Sequence, residues 1–285
     1  MTGLILLLLL PGIFFYLWLP AHMANNRGRS ALGWIFLTFV TTPVTTTILL
    51  SCDGNLFGER GNGVSVVKEI QVGDFDMISI PSFVDVRYTQ TAGEQSVTLT
   101  CDENLAGHYV IEVKDGVLVV ETRNVILNAK TDTYVTVSSP ILRGVKLSGS
   151  GDLDIDGPVV TEGDFTVSIS GSGGADITGM TASSVSISLT GSGDADIDGL
   201  HASAAEFKTS GSGDIEADAV TAESISVKTT GSGDCTIGCK NSGTLSVQIS
   251  GSGDVTLRGT ARALVNISDT GSGDFDMSGL TLSGK

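Results

Sequence analysis

A four-residue motif returns along the second half of the chain at an almost constant interval. The motif is GSGD, or GSGG in one copy, and its first glycine is found at Gly149, Gly171, Gly191, Gly211, Gly231, Gly251 and Gly271. The spacing is 22 residues once and 20 residues five times. A fixed period of this length is the signature of a repeat protein, in which each unit stacks on its neighbours because it cannot bury a core alone.

Short alternating segments flank the copies of the motif. Positions two, four and six before the first glycine are largely apolar, as are positions four and six after it, and mainly Ser, Thr, Asp or Glu stand between them. A period of two predicts strands with one buried and one wet face. Helical repeats need a 3.6-residue period, and leucine-rich repeats need an Asn and Leu pattern that is missing. We therefore predict an all-β fold, a parallel β-helix (solenoid) of about seven coils over residues 149–285. The alternation assigns to its core Ile187, Ile197, Val227, Val247 and Leu257.

The segment before the repeat has strand patterns but no fixed period. Alternating runs recur over residues 66–148, and Asp115-Gly116 between two of them predicts a hairpin turn. Because a solenoid must shield the apolar end of its first coil, we interpret this segment as an irregular β cap. Residues 52–65 are rich in glycine and of mixed charge, and they are interpreted as a linker.

Two uncharged stretches precede the linker. Residues 3–19 and 31–51 contain no charged side chain, and each is close to the roughly 20 apolar residues that a membrane helix requires. The loop between them carries Arg27 and Arg29, so the positive-inside rule places this loop in the cytoplasm. The prediction is a two-span hairpin that anchors the chain in a bacterial membrane, with residues 52–285 periplasmic or extracellular.

A second interpretation of the N-terminal segment starts from Met23. Translation from this residue would give a basic region, an apolar region and then Leu49-Leu50-Ser51-Cys52, which resembles a lipoprotein cleavage box. The apolar run is longer than the roughly 7 to 15 residues that are usual in such signals. Cys52 is therefore either a lipidation site or an ordinary cysteine at the end of a membrane helix. Both interpretations place the following domain on the far side of a membrane.

The chain is strongly acidic, with a formal net charge of −16. Residues 1–51 hold two of its 16 basic side chains and none of its 32 acidic ones, so the remainder carries −18. Binding of phosphate groups requires clustered Lys and Arg. The composition therefore argues against nucleic acid as a partner, and an envelope protein or a glycan is expected instead.

Carboxylates recur at one position of the motif. The third residue after the first glycine is Asp152, Asp194, Asp214, Asp234, Asp254 and Asp274, with Gly174 as the exception. A second column, two residues further on, holds Asp154, Asp176, Asp196, Glu216 and Asp276. Stacking would turn them into ladders that attract cations, and calcium is the obvious metal for the ladder from Asp194 to Asp274. The simpler interpretation, which we favour, has each Asp accept backbone N–H groups at its own corner as an Asx turn. No cofactor is then expected.

Two further residue types in the repeat invite a chemical interpretation. Serine follows the first glycine in every copy, but a nucleophile needs a base and the repeats contain only His201, so a stacked hydroxyl ladder is the better interpretation. Cys235 and Cys239 could form a disulfide in an oxidising compartment, remain buried as free thiols, or form a weak metal site. Cys101 stands alone and is predicted to lie in the core.

Enzymatic β-helices suggest a rival function. A polysaccharide-acting enzyme needs aromatic platforms and a pair of catalytic carboxylates in a cleft. From residue 149 onward the aromatic residues are only Phe165, Phe207 and Phe275, all at inward positions, and the carboxylates are repetitive. We therefore expect no catalytic residues and no enzymatic activity.

Three stretches of sequence together resemble a known family. They are VKEIQVGDFDMISIPSFVDVRYTQTAGEQSVTLTCDENL, KDGVLVVETR, and VKLSGSGDLDIDG with the GSGD coils that follow it. The resemblance is to the head GIN domain family of auto-transporter adhesins, and it covers about residues 66–285. It implies a β-helical domain at the bacterial surface or in the periplasm, often lipidated. The membrane hairpin departs from that pattern.

The expected function is adhesin-like binding or scaffolding in the bacterial cell envelope by a membrane-anchored, non-enzymatic domain. An alternative is an envelope assembly or signalling component whose membrane hairpin binds another membrane protein. A polysaccharide-acting enzyme is the third interpretation. The first two differ in the role of residues 1–51, which only anchor an adhesin but would recognise the partner of an assembly component.

Overall fold

The computed structural model of the chain describes residues 21–22, 58–123 and 127–284. Cys52 and the predicted membrane spans over residues 3–19 and 31–51 lie outside these ranges. Within them, Ala21 and His22 are helical. Among the residues that the structure describes, no helix has both the length and the hydropathy needed to cross a bilayer.

The described residues form twenty strands and one 3₁₀ helix. The strands are β1 (Glu59–Arg60), β2 (Ser65–Glu69), β3 (Met77–Ile80), β4 (Asp85–Gln90), β5 (Ser96–Asp102), β6 (Tyr109–Lys114), β7 (Val117–Thr122), β8 (Leu127–Asn128), β9 (Tyr134–Ser139), β10 (Gly144–Leu147), β11 (Leu153–Val160), β12 (Asp164–Ile169), β13 (Ala175–Thr181), β14 (Ser184–Leu189), β15 (Ala195–Ile197), β16 (Leu200–Thr209), β17 (Ile215–Thr229), β18 (Cys235–Ile249), β19 (Val255–Asp269) and β20 (Phe275–Leu282). The helix spans Glu103–His108. Strands β1 and β8 pair in parallel in a small unit of their own, and the other strands form a second unit.

The second unit consists of coils whose strands stack in parallel as three columns. Stack A contains the segments before each glycine motif, from β3 through β10, β12 and β14 to the C-terminal halves of β16–β19. Stack B contains the segments after each motif, from β4 through β11, β13 and β15 to β20. Stack C lies between B and A along the chain and includes residues 200–202, 220–222 and 280–282. The prediction of an all-β solenoid with about seven stacked coils is confirmed.

Residues twenty apart face each other across successive coils. In stack A, Ile187 pairs with Phe207, which pairs with Val227, which pairs with Val247. The five residues predicted to face the core are each at most 2% exposed, which confirms the period-two register. Because every inward position repeats with the coil, the coils share one continuous apolar interior that no single coil could enclose.

Stacking begins one coil before the first GSGD motif. Strand β3 pairs in parallel with β10, and β4 pairs with β11. The turn between β3 and β4 lies under the first motif, because the backbone N–H groups of Ser148 and Ser150 donate to the carbonyl oxygens of Ile80 and Ser82, each over 3.0 Å. Residues 82–85 therefore occupy the position of a glycine motif without containing glycine, and Asp85 takes the place of its aspartate.

The remaining strands close the N-terminal end of this stack. Strands β7 and β9 add one more parallel layer, against β3 and β4 respectively. Antiparallel pairs then follow, β6 with β7 and β5 with both β9 and β2. The turn between β6 and β7 is the predicted hairpin, with positive φ angles of 52° at Asp115 and 79° at Gly116.

Candidate functional site

The glycines of each motif let neighbouring coils approach closely at the turn. The backbone N–H groups of Ser232 and Gly233 both donate to the carbonyl oxygen of Gly211 in the coil below, over 2.9 and 3.3 Å. A Cβ atom added at Gly231 would fall on that same carbonyl oxygen. Glycine is therefore required here by the close approach of two backbones. The turns stack in register, and the Asp that ends each motif is placed above the Asp of the previous coil.

The stacked aspartates accept hydrogen bonds from the backbone of the next coil. The N–H of Asp214 donates to Oδ1 of Asp194 over 2.8 Å, and the N–H of Asp234 donates to Oδ1 of Asp214 over 2.7 Å. The same bond joins Asp254 to Asp234 and Asp274 to Asp254. We had predicted that each carboxylate accepts an N–H of its own corner as an Asx turn. That prediction was wrong, because the donor belongs to the next coil. Parallel stacking brings the N–H of residue i+20 within hydrogen-bond distance of the carboxylate.

Gly174, which stands in place of Asp in one copy of the motif, also takes part in this ladder through its backbone N–H. Its N–H donates to Oδ1 of Asp152 over 2.8 Å. Within residues 58–123 and 127–284, no group of three or more His, Cys, Asp or Glu side chains is arranged to hold a metal ion. One carboxylate oxygen of every ladder aspartate from Asp152 to Asp254 already has a backbone partner, so the ladder works as a series of links between coils. The expectation that it binds no calcium stays a prediction.

Calcium is expected to leave the thermal stability of the protein unchanged beyond the effect of ionic strength. Millimolar calcium chloride and sodium chloride of equal ionic strength should shift the melting temperature equally, because both only screen surface charge. The check is thermal unfolding of the wild-type protein beside the Asp214→Asn/Asp234→Asn variant, whose amide oxygens can still accept the backbone N–H groups. A saturable rise that is specific to calcium and absent from the variant would show that the ladder is a metal site.

A second acidic column runs along the outer face of stack B. Asp154, Asp176, Asp196 and Glu216 pair in register across four coils. Partial burial and the charge of Asp176 raise the pKa of both Asp154 and Asp196. Burial is the larger cause, and the like charge one layer away adds to it. We call this column the acidic strip.

Arginine residues stand at both ends of the acidic strip. At one end, Nε of Arg87 lies 3.8 Å from Oδ2 of Asp154. At the other, Arg258 donates to Oε1 of Glu216 over 2.9 Å and to Oδ1 of Asp218 over 2.6 Å. Arg258 reaches across one intervening coil to make these bonds. That coil places Thr236 next to Glu216 and Gly238 next to Arg258. These ion pairs are half-exposed, so each adds little stability. The acidic strip ends after the fourth GSGD coil because Thr236 and Thr256 follow Glu216 in the same column.

The hydroxyl ladder lies at a different position from the one predicted. The serine between the two glycines of each motif is exposed in the repeats, for example Ser192. A repeated row of hydroxyls that bond between coils belongs to the residue before the first glycine, and these hydroxyls donate to the preceding coil over 3.3 to 3.5 Å. They are those of Ser170, Thr190, Ser210, Thr230 and Thr270.

The three described cysteines are free and buried. Cys235 faces the core in stack B between Ile215 and Val255, and Cys239 faces it in stack C. Burial raises the pKa of Cys235 to about 12 and that of Cys239 to about 11, so both remain neutral thiols at physiological pH. Of the three alternatives for Cys235 and Cys239, a disulfide, free thiols or a weak metal site, the structure has the free thiols. The prediction that Cys101 lies in the core is confirmed.

A groove crosses the coils at the corner between stack C and stack A. Its volume is about 660 Å³, within the range of roughly 300 to 1,000 Å³ that is usual for ligand pockets. We call it the corner groove. It is lined by Ala182, His201, Ala202, Ser203, Thr221, Ala222, Glu223, Asn241, Ser242, Gly243, Arg262 and Ser283.

The corner groove arises where the alternation of the strands is interrupted. In β16, Ala202 and Ala205 both face the core, so two consecutive residues, Ser203 and Ala204, lie on the outside. The strand bends at that point as a bulge does. The sequence analysis did not find this site. The signal was present as a shift of phase inside the repeat, in the part of the coil where the residues differ most between copies.

The features described above define a β-solenoid with glycine turns, an acidic outer strip and a polar groove. The chain belongs to the family described as "Putative auto-transporter adhesin, head GIN domain", whose model matches residues 74–243. The resemblance found in the sequence is therefore confirmed. No curated protein gives a significant match to the chain.

Solved structures share the fold at low sequence identity. They include a putative adhesin from Bacteroides fragilis NCTC 9343, with 23% identity and a TM-score of 0.71, and a putative adhesin from Parabacteroides distasonis ATCC 8503, with 22% identity and a TM-score of 0.61. A third, from the latter organism, is described as a putative lipid binding protein and has 23% identity and a TM-score of 0.57. The similarity covers 77%, 76% and 76% of this chain and 99%, 98% and 98% of those chains.

Proposed function

We propose that this protein is a non-enzymatic, adhesin-like binding domain of the bacterial cell envelope, held at a membrane by its N-terminal segment. The observation that carries the proposal is the family membership of residues 74–243. The long uncharged stretches at residues 3–19 and 31–51 support the anchor. Residues 52–285 would then be periplasmic or extracellular.

The surface of the solenoid supports binding better than catalysis. The ladder carboxylates from Asp152 to Asp254 accept backbone N–H groups, and the carboxylates of the acidic strip repeat from coil to coil. The corner groove holds a single carboxylate side chain, Glu223, and so lacks the pair that glycoside hydrolysis uses. The groove lining is also mostly polar, which suits a hydrated ligand better than a lipid tail.

Adherence of whole cells tests the proposal. The full chain, and a version in which an unrelated lipoprotein anchor replaces residues 1–51, would be displayed on a non-adherent bacterial strain. We expect both strains to adhere to mucin-coated or fibronectin-coated wells several-fold above a strain with an empty vector. Display without adherence to either coating would contradict the adhesin proposal. Adherence only with the native N-terminal segment would favour an envelope component whose hairpin recognises its partner.

The topology of the anchor makes a separate prediction. A phosphatase that works only outside the cytoplasm is expected to be active when it is fused after Lys285. The loop with Arg27 and Arg29 should lie in the cytoplasm, so both ends of the hairpin and the domain that follows should lie outside it. Enzyme activity of the fusion in intact cells measures this directly. Activity only of a cytoplasmic reporter at the same site would refute the envelope location. Loss of labelled palmitate incorporation in Cys52→Ala would identify a lipid anchor in place of the hairpin.

A further inference from the structure

The corner groove is long and continuous across the coils. Its lining residues include Ala182, Ala202, Ala222 and Ser242, which come from four successive coils, and it extends through Arg262 to Ser283. Six layers separated by about 4.8 Å give a length of roughly 24 Å along the solenoid axis. A site with this shape fits an extended chain better than a compact molecule.

The floor and the walls of the groove differ in chemistry. The floor is formed by Ala182, Ala202 and Ala222, whose side chains are turned toward the core and are only 4 to 8% exposed, so little apolar surface faces the groove. The walls carry hydroxyl and carboxamide groups, among them those of Ser203, Thr221 and Asn241. Such groups both donate and accept hydrogen bonds. The groove can therefore exchange hydrogen bonds with the hydroxyl groups of a ligand along both walls.

The groove differs from the acidic strip in charge. Its lining contains one carboxylate, Glu223, and one permanent cation, Arg262, whereas the acidic strip contains four successive carboxylates in register. A cationic ligand would be drawn to the acidic strip, and an anionic ligand would be repelled by a chain with a net charge of −16. The corner groove therefore favours a neutral ligand.

The backbone around the groove is already engaged, which argues against an extended peptide. The N–H of Ser203 donates to the carbonyl oxygen of Ser183 over 3.0 Å, and the N–H of Ala182 donates to that of His201 over 3.1 Å. His201 and Thr221 also pair within stack C. A peptide that adds as a strand needs an open sheet edge. The groove offers side chains instead, and these suit hydroxyl groups.

We infer that the corner groove binds a neutral, extended glycan, an inference that rests on the proposed adhesin function and names its ligand class. A sugar unit of a β-linked glycan is about as long as the spacing between two coils. Successive sugars would therefore meet equivalent positions of successive coils, with their rings over the floor and their hydroxyls at the walls. Ordered water would complete the contacts, as is common in polar interfaces.

The test is isothermal titration calorimetry of the full chain in detergent micelles with chitohexaose, a neutral and extended hexasaccharide. Binding is expected, and the Glu223→Ala/Arg262→Ala variant should weaken it at least fivefold. The matched control is Asp198→Ala/Lys228→Ala, which also removes one carboxylate and one cation from exposed positions but lies outside the groove lining. It should bind chitohexaose as the wild type does. Circular dichroism would verify that both variants are folded.

Three further probes make the assignment falsifiable. Maltohexaose, which is coiled, hexagalacturonate, which is anionic, and vesicles of phosphatidylglycerol should each bind at least tenfold more weakly than chitohexaose. Equal or tighter binding of any of them would overturn the inference, as would absence of chitohexaose binding or an equal loss in the two double variants. If cells that display the chain still adhere while chitohexaose does not bind, the adhesin proposal stands and the neutral glycan is the wrong ligand class.

Discussion

Replacing Gly231 by alanine is expected to destabilise the protein by roughly 3 kcal/mol, the upper end of the usual range for overpacked sites. The added Cβ would fall on the carbonyl oxygen of Gly211, which belongs to the rigid backbone of the coil below. That oxygen also accepts the N–H groups of Ser232 and Gly233, so the turn cannot move away without breaking both bonds. Denaturant unfolding of the variant beside the wild type would measure the change.

A second glycine offers a matched control for this variant. A Cβ atom at Gly199 would have as its nearest neighbour the carbonyl oxygen of Thr178 at 3.9 Å, an ordinary van der Waals contact. Gly199→Ala should therefore change the free energy of unfolding by less than about 1 kcal/mol, and alanine can even stabilise by restricting the unfolded chain. If the two variants were equally stable, the close stacking of the glycine turns would be refuted.

Val247→Asp is expected to destabilise the protein by about 4 kcal/mol at neutral pH, because it would bury a carboxylate without a partner. Val247 is fully buried, and its neighbour Val227 in the coil below is 2% exposed. The side chains paired with it in register, Val227 and Ile267, have no hydrogen-bond donor. Equilibrium unfolding in urea, followed by circular dichroism, would give the difference from the wild type.

The pH dependence of this variant has a definite sign. Burial would raise the pKa of the new Asp above its unfolded value of about 3.9, so the folded state would bind more protons than the unfolded state. The destabilisation should therefore grow as the pH rises through 4 and shrink as it falls. The control is Ser246→Asp, whose side chain lies on the outside between Ser226 and Asn266. A change of less than about 1 kcal/mol is expected there, and an equal loss at both sites would contradict the register of stack A.

Much of the solenoid could be predicted because its contacts follow the repeat. Each core residue packs against residues twenty positions away, so the period and the alternation together assign the inward face, as at Ile187 and Val247. The hairpin at Asp115-Gly116 was predictable for a different reason. Its positive φ angles are a local demand that this dipeptide satisfies better than most.

The sequence alone determined the class of fold, the family and the inward residues, since these depend on spacing and on burial. Only the tertiary structure decided which N–H group donates to each Asp carboxylate, because the stacking of the coils brings the N–H of the next coil within hydrogen-bond distance. It also placed Arg258 against Asp218, forty residues away, and shaped the corner groove from a small shift of phase in each coil. Periodicity reports which face a residue takes, whereas the groove depends on where the alternation is interrupted within each coil, which period alone does not encode.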